Sequence, residues 1–225
     1  MPLAGAAFLA LWNDIAPARE AEYDRWHTRE HVPERVGVPG FRGARRYVNR
    51  ARSLHRYFTL YEIDDLAVLD GAAYATLLRE PTLWSQSMRP DFAHVLRAPC
   101  NVVASEGEGI GGALAVLCYA ATAVSRVVSQ AMLMALPGVV GAHVGDGSAT
   151  AVAWAPEEKT RGFDRVLLIE ALDRDAAQHA LAAARDALAF AALPADFGND
   201  VYDLAFAFPG HDANAPARHA RRPTT

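Results

Sequence analysis

Val38-Pro39-Gly40-Phe41-Arg42-Gly43-Ala44-Arg45 returns later in the chain as Leu136-Pro137-Gly138-Val139-Val140-Gly141-Ala142-His143. The shared pattern, apolar-Pro-Gly-x-x-Gly-Ala-basic, reads as a turn leading into a strand. What precedes the two copies differs. Tyr23-Asp24-Arg25-Trp26-His27-Thr28-Arg29-Glu30-His31-Val32-Pro33-Glu34-Arg35 stands before the first, whereas Ser125 to Ala135, before the second, has no histidine, carboxylate or tryptophan. A fold used twice, with chemistry in one copy, is the expectation.

The elements around the first copy follow from side-chain periodicity. Phe8 to Ile15, an apolar run with Trp12 bounded by Pro17, predicts a buried strand. From Ala18 onward, Ala21, Tyr23, Trp26, Val32 and Val36 share a helical face, with Glu20, Glu22, Arg25 and Arg29 on the other, and Pro33 predicts a kink or an end. Phe41 to Asn49 predicts a strand with Phe41, Gly43, Arg45 and Tyr47 on one face and Arg42, Ala44 and Arg46 on the other. Arg56 to Ile63, with Tyr57, Thr59 and Tyr61 alternating against Phe58, Leu60 and Glu62, completes an antiparallel hairpin. Asp64 or Asp65 caps a helical region that runs through Leu78 and breaks at Pro81, and Phe92 to Ala104 is a fourth strand. The order is that of a ferredoxin-like βαββαβ unit.

Ala113 to Ala120, Ser125 to Leu136, Val139 to Val144, Arg165 to Leu172, Asp175 to Phe190 and Val201 to Phe208 repeat that order. The third strands also end alike, Tyr61-Glu62-Ile63-Asp64 against Ile169-Glu170-Ala171-Leu172. The organisation expected is a first repeat over residues 1–105 carrying the candidate site, a linker over 106–112 built on Glu106-Gly107-Glu108-Gly109, a degenerate structural repeat over 113–209, and a disordered basic tail over 210–225. Each antiparallel sheet with helices on one face leaves an apolar face, so two sheets must cover one another. The fold class is α+β, an α/β barrel completed within one chain, either as a monomeric pseudo-dimer or in a homodimer.

Composition narrows the function. A net charge of −4 with 52% apolar residues belongs to an ordinary globular protein and gives no broad attraction for nucleic acid; the concentrated basic stretch, Arg218 to Arg222, lies in the tail. Cys100 and Cys118 form neither a disulfide framework nor a Cys-x-x-Cys motif. Leu3 to Trp12 lacks a cationic leader, so a cytoplasmic location is expected. Ile110 to Val140 carries Arg126 as its sole formal charge, yet a central arginine and Pro137-Gly138 argue for a buried strand and helix instead of a membrane span.

Trp26-His27-x-x-x-His31-Val32-Pro33, followed by Val38-Pro39-Gly40-Phe41, resembles the EthD-like branch of the dimeric α/β-barrel superfamily over roughly Phe8 to Ala104; the second half matches in layout. The resemblance implies a cavity between sheet and helices beside a histidine, here His31. It also implies a chemistry among those the superfamily supports: cofactor-free isomerisation, lactone rearrangement, cyclisation or monooxygenation, with haem binding in more distant members.

The residues themselves agree on proton transfer. His27 and His31 are four apart and share a helical face, with Tyr23 and Arg35 one turn to either side. Histidine exchanges protons near neutral pH, which enolisation, dehydration and ring rearrangement require, so His31 and then His27 are the candidate acid/base groups. Tyr23, Trp26, Arg35, Arg45, Tyr47, Tyr57, Tyr61, Trp84 and His94 are the candidate lining for a flat, apolar ligand. Phe41 and Tyr47 argue that the Arg45 face is the covered one, with Arg45 as a clamp for a carboxylate or enolate and His94 as a rival proton carrier. His27-Thr28-Arg29-Glu30-His31 spells His-x-x-Glu-His, but Pro33 follows at once and no third ligand stands out, so no metal is expected. No phosphate loop or nucleophile elbow is present. The expectation is a cofactor-independent enzyme acting on an aromatic, lactone or polyketide-like small molecule; the alternative is a non-catalytic ligand- or haem-binding barrel.

Overall fold

The computed structural model describes residues 2–120, 128–148, 163–188 and 199–210. Eight strands are β1 (Ala7–Ile15), β2 (Phe41–Val48), β3 (Tyr57–Ile63), β4 (Phe92–Gly107), β5 (Ala113–Tyr119), β6 (Val139–Gly147), β7 (Arg165–Ala171) and β8 (Asp200–Pro209). They close one antiparallel barrel in the order β1-β3-β2-β8-β5-β7-β6-β4, and β4 pairs with β1. The barrel therefore consists of two four-stranded sheets, each in the order fourth-first-third-second. They join at two reciprocal seams, β2 with β8 and β4 with β6.

Backbone bonds at the strand ends recur between the halves. Asp64 N–H donates to the Gly40 carbonyl and Leu172 N–H to that of Gly138, both at 2.8 Å. Val102 N–H donates to Ala6 and Leu204 N–H to Gly112, both at 2.9 Å. Gly40 and Gly138 both have positive φ, +95° and +78°, and a Cβ there would strike the Val68 and Ala176 side chains at 2.4 and 2.7 Å. Glycine is needed at both for the left-handed turn and for the close approach of the following helix.

Inside the barrel, Phe8, Ala10 and Trp12 of β1 meet Leu114, Val116 and Cys118 of β5 with Phe58, Leu60, Val166 and Leu168. Trp12 and Phe58 pack edge to face with centroids 4.9 Å apart. Burying each such side chain contributes about 1.5–3 kcal/mol, so this core holds the two sheets together. One end of the interior is polar: Arg45 bonds both Glu170 and Glu62, and Gly111 N–H donates to Glu170 at 2.9 Å.

Outside, α6 (Gln130–Met134) and α7 (Arg174–Ala187) cover the second sheet over an aliphatic layer that includes Leu117, Leu133, Val144, Leu167 and Ile169. The first sheet is covered by α1 (Glu20–Trp26), which runs through a π turn, His27–His31, into α2 (Val32–Val36), and by α3 (Ala67–Asp70), α4 (Ala72–Arg79) and α5 (Leu83–Met88). No helix among the described residues is long and apolar enough to cross a membrane; residues 110–140 hold β5 and the five-residue α6.

Three local expectations change. Pro33 neither ends nor breaks the helix: Val32 N–H bonds back to the His27 carbonyl, five residues away, and this wide turn lets the chain continue past a residue that cannot donate. β2 carries a bulge, Phe41 pairing with Ile63 while Gly43 pairs with Glu62, so Phe41 shares its face with Ala44 and Arg46, not with Arg45 and Tyr47. β4 runs on through Glu106 and Gly107, which pair with Ala142 and Gly141 instead of forming a linker. Of the expected second-half helix over 125–136, residues 125–127 lie outside the described residues, as do the end of the 175–190 helix and the basic tail after residue 210.

Candidate functional site

His27 and His31, four residues apart at the two ends of the wide turn, have their rings stacked 5.0 Å apart at 30°. Both are buried between helix and sheet. Tyr23 packs on His27 at 5.3 Å and Trp26 on His31 at 4.3 Å, closing the two ends of the stack.

Few groups bond to these rings. His27 Nε2 lies 3.5 Å from Thr59 Oγ1, and Nδ1 of both histidines lacks a hydrogen-bond partner among the described residues. Burial first, then the Arg46 and Arg35 guanidiniums, holds the His27 imidazole well below its ordinary value of 6.5. Burial, followed by Arg35, His27 and Arg89, does the same for His31. The pair is neutral at physiological pH and surrounded by cations. Tyr61 brings a buried hydroxyl without a partner among the described residues, its pKa raised by burial, while the Tyr23 hydroxyl donates to Asn13 Oδ1 at 3.1 Å.

Two cavities meet at this point. The inner one, about 10 Å³, lies between helix and sheet and is lined by Leu9, Leu11 and Asn13 of β1, by His27, His31 and Arg35, and by Phe41, Tyr61, Tyr74 and Phe92. It holds about one water-sized volume. The outer cleft, about 50 Å³, is lined by Trp26, His31, Glu34, Arg35, Ser85 and Arg89 and by Leu77, Glu80 and Pro81 at the end of α4. His31 and Arg35 border both.

Tyr23, Trp26, His27, His31, Arg35, Tyr57 and Tyr61 thus come together on the helix side of the first sheet. Arg45 and Tyr47 do not. They point into the barrel on the opposite face, where Arg45 is bound by Glu62 and Glu170. The bulge at Arg42 shifts the parity by one, and Arg46 takes the place under the helix that was expected of Arg45. Its guanidinium lies over the Tyr23 ring at 5.6 Å and bonds Asp24 at 3.0 Å, while its Nε and Nη1 are buried without a partner among the described residues.

Trp84 packs at the margin and donates to Glu22 at 3.1 Å, bordering neither cavity. His94 is half exposed, with its Nδ1 2.9 Å from Asp14 at the end of the barrel. Neither meets His31. Sequence reasoning passed over Asn13, Glu34, Thr59, Tyr74, Arg89 and Phe92. The parity that puts Tyr57, Thr59 and Tyr61 on one face was a usable signal for Thr59; nothing local marked Arg89.

The Glu30 of the His-x-x-Glu-His string turns away from the histidines to Trp26, Thr82 and Ser85. No group of three or more His, Cys, Asp or Glu side chains among the described residues is arranged to hold a metal ion. Haem does not fit these residues: both imidazoles are stacked on one another, and the cavities they border are far smaller than the several hundred Å³ a drug-sized ligand fills. What the arrangement can do is accept a proton on a neutral imidazole while guanidiniums hold the resulting anion.

Comparison with known proteins places this architecture. An anthrone oxidase-like protein superposes over 97% of this chain and 99% of its own, at 11% identity and a TM-score of 0.59. A candidate monooxygenase from Fusobacterium nucleatum subsp. nucleatum matches over 92% and 95%, at 13% identity and a TM-score of 0.52. A candidate chlorite dismutase matches over 90% and 96%, at 11% identity and a TM-score of 0.53. No family model and no curated protein matches the sequence. The chain has the dimeric α/β-barrel fold of the ferredoxin-like kind, with both sheets supplied by one chain.

Proposed function

We propose that the protein is a cofactor-independent enzyme in which His31, seconded by His27, takes a proton from a small aromatic, lactone or polyketide-like substrate, in an isomerisation, elimination, cyclisation or oxygenation. One observation carries this reading: two buried neutral imidazoles whose Nδ1 atoms have no partner among the described residues lie beside Arg35, Arg46 and Arg89, an arrangement the fold does not need. Burial weakens the imidazole as a base, so the substrate proton it takes must be the more acidic, but it leaves the imidazole unprotonated and ready to accept that proton. Arg35 borders both cavities beside His31 and is the group best placed to steady an enolate or phenolate. The Trp-His-x-x-x-His-Val-Pro motif agrees with the EthD-like branch, and one fold neighbour is described as anthrone oxidase-like.

The same reading makes the two halves descendants of one unit, the second having lost its site, and the chain a monomeric pseudo-dimer in the cytoplasm. Matched strand-end hydrogen bonds and matched left-handed glycines support the descent. The test is turnover of phenolic and lactone substrates by wild type and His31→Ala. Loss of turnover in a variant with an unchanged circular dichroism spectrum is expected. Activity retained by His31→Ala would overturn the assignment of His31 as the base, whereas absence of turnover in wild type would leave a non-catalytic ligand-binding barrel.

A further inference from the structure

The outer cleft carries more charge information than its size suggests. Arg35 enters from α2, one turn beyond His31, and Arg89 enters from the segment after α5, so two guanidiniums from different elements border one small space. Arg35 is only 7% exposed, and its one ion pair among the described residues is a 3.4 Å contact with the adjacent Glu34. Arg89 has no ion pair among the described residues; it donates to the Leu78 carbonyl at 3.0 Å. The Arg89 pKa is lowered by burial and then by Arg35. Arg35 is a nearly buried cation with one weak counter-ion, and Arg89, exposed at the mouth of the same cleft, adds a second positive charge beside it, a repulsion that an anion between them relieves.

We infer that this cleft is a carboxylate site: Arg35 and Arg89 grip the carboxylate of an organic acid, whose apolar body lies along Trp26, Leu77 and Pro81 beside the His31 imidazole. Planar guanidiniums suit a carboxylate, which each can meet with two parallel N–H donors. A space of about 50 Å³ suits the acid group and not a ring, which puts the ring on the apolar rim. Glu34 and Glu80 also border the cleft. Glu80 is exposed and faces water. Glu34 has its carboxyl pushed up by burial, with Glu30 adding to the effect and Arg35 opposing it, so it is a poor permanent counter-ion and gives way to an incoming carboxylate. The substrate of the proposed reaction is then an acid, with the carbon next to its carboxylate nearest His31. This step rests on the catalytic reading above, while the carboxylate site itself does not.

The full chain titrated by calorimetry with benzoate, and separately with neutral isosteric benzamide, tests the inference. Saturable binding of benzoate at least about tenfold tighter than benzamide is expected, as is a loss of about tenfold in Arg89→Gln, since one charged hydrogen-bonding partner is worth roughly that factor. Arg79→Gln, an exposed neighbour that does not border the cleft, should leave benzoate binding unchanged. Equal binding of benzoate and benzamide, or an unaltered benzoate affinity in Arg89→Gln, would overturn it. Benzoate binding that survives in His31→Ala, alongside absent turnover in wild type, would uphold the carboxylate site and remove only the catalytic reading.

Discussion

The two halves of the barrel present the same face to their helices and fill it differently. On the first sheet, Arg46 stands opposite Thr59 and Ala44 opposite Tyr61; on the second, the corresponding cross-strand pairs are Val144 with Leu167 and Ala142 with Ile169. Where the first helix brings Tyr23, Trp26, His27 and His31 to the sheet, the described residues of the second half bury a layer that is aliphatic apart from Tyr119. The second half is an internal control. Among its described residues this face packs with no buried histidine or arginine, so the fold does not require such groups in the first half. Burying them without full hydrogen bonding costs free energy that a purely structural layer would avoid.

The comparison breaks first, and most expensively, inside the barrel. Glu170, fully buried, and Glu62, its counterpart in the first half with 13% of its side chain exposed, both bind Arg45. Glu170→Ala should cost about 3–5 kcal/mol in urea unfolding, because it strips a buried cation of its best partner. Glu62→Ala should cost clearly less. Equal losses would mean that both halves contribute alike to the interior network and that burial does not rank them.

Acid separates the halves next. Burial holds His27 and His31 well below 6.5, His55 at about 4 and His143 at about 3, so three of these four neutral histidines belong to the first half. Each has a folded-state pKa below its unfolded value, so the unfolded chain binds the extra proton. Stability is complete above pH 6.5 and falls as pH drops below it, for His55 down to about pH 4 and for His143 down to about pH 3. The slope should approach 1.4 kcal/mol per pH unit for each histidine that stays neutral. Urea midpoints between pH 7 and 5 should fall less steeply in His31→Leu than in wild type; parallel curves would show that His31 is not a buried neutral base.

The smallest effect is the most telling. Arg46→Val with Thr59→Leu writes the second half's pair into the first, and stability should stay within about 1 kcal/mol of wild type or rise. Asp24, the partner left behind, is one-third exposed and can return to water. A loss above about 2 kcal/mol would show that Arg46 holds the fold together, and the second half would no longer serve as a control for the first.

Much of this is legible in the sequence. Alternation in Tyr57-to-Ile63 and the two Pro-Gly turns locate β3 and the entries to β2 and β6, because a two-residue period and a left-handed glycine are written in residue type. The histidine face followed from a spacing of four. What could not be read was geometry of one residue. The bulge at Arg42 is marked by Gly43, and its counterpart Gly141 follows the same shift in β6, but an interior glycine marks a bulge without saying that one is there, and one added residue exchanges every later side chain between faces. That exchange moved Arg45 into the barrel and Arg46 to the site. Arg89 lay beyond local pattern altogether, because it reaches the cleft through the packing of α5 against α1.

The π turn at His27–His31 has a consequence for how such a protein can change. A turn wider by one residue is equivalent to an insertion absorbed within a helix, leaving the stretches on both sides in their own registers. Tyr23 and Trp26 before it, and Val32 and Val36 after it, stay buried against the rest of the first half. Only the residues in between are displaced, and Arg29 among them is exposed. Gain or loss of a single codon in that turn would bring two imidazoles together or swing them apart while the barrel beneath stays as it is.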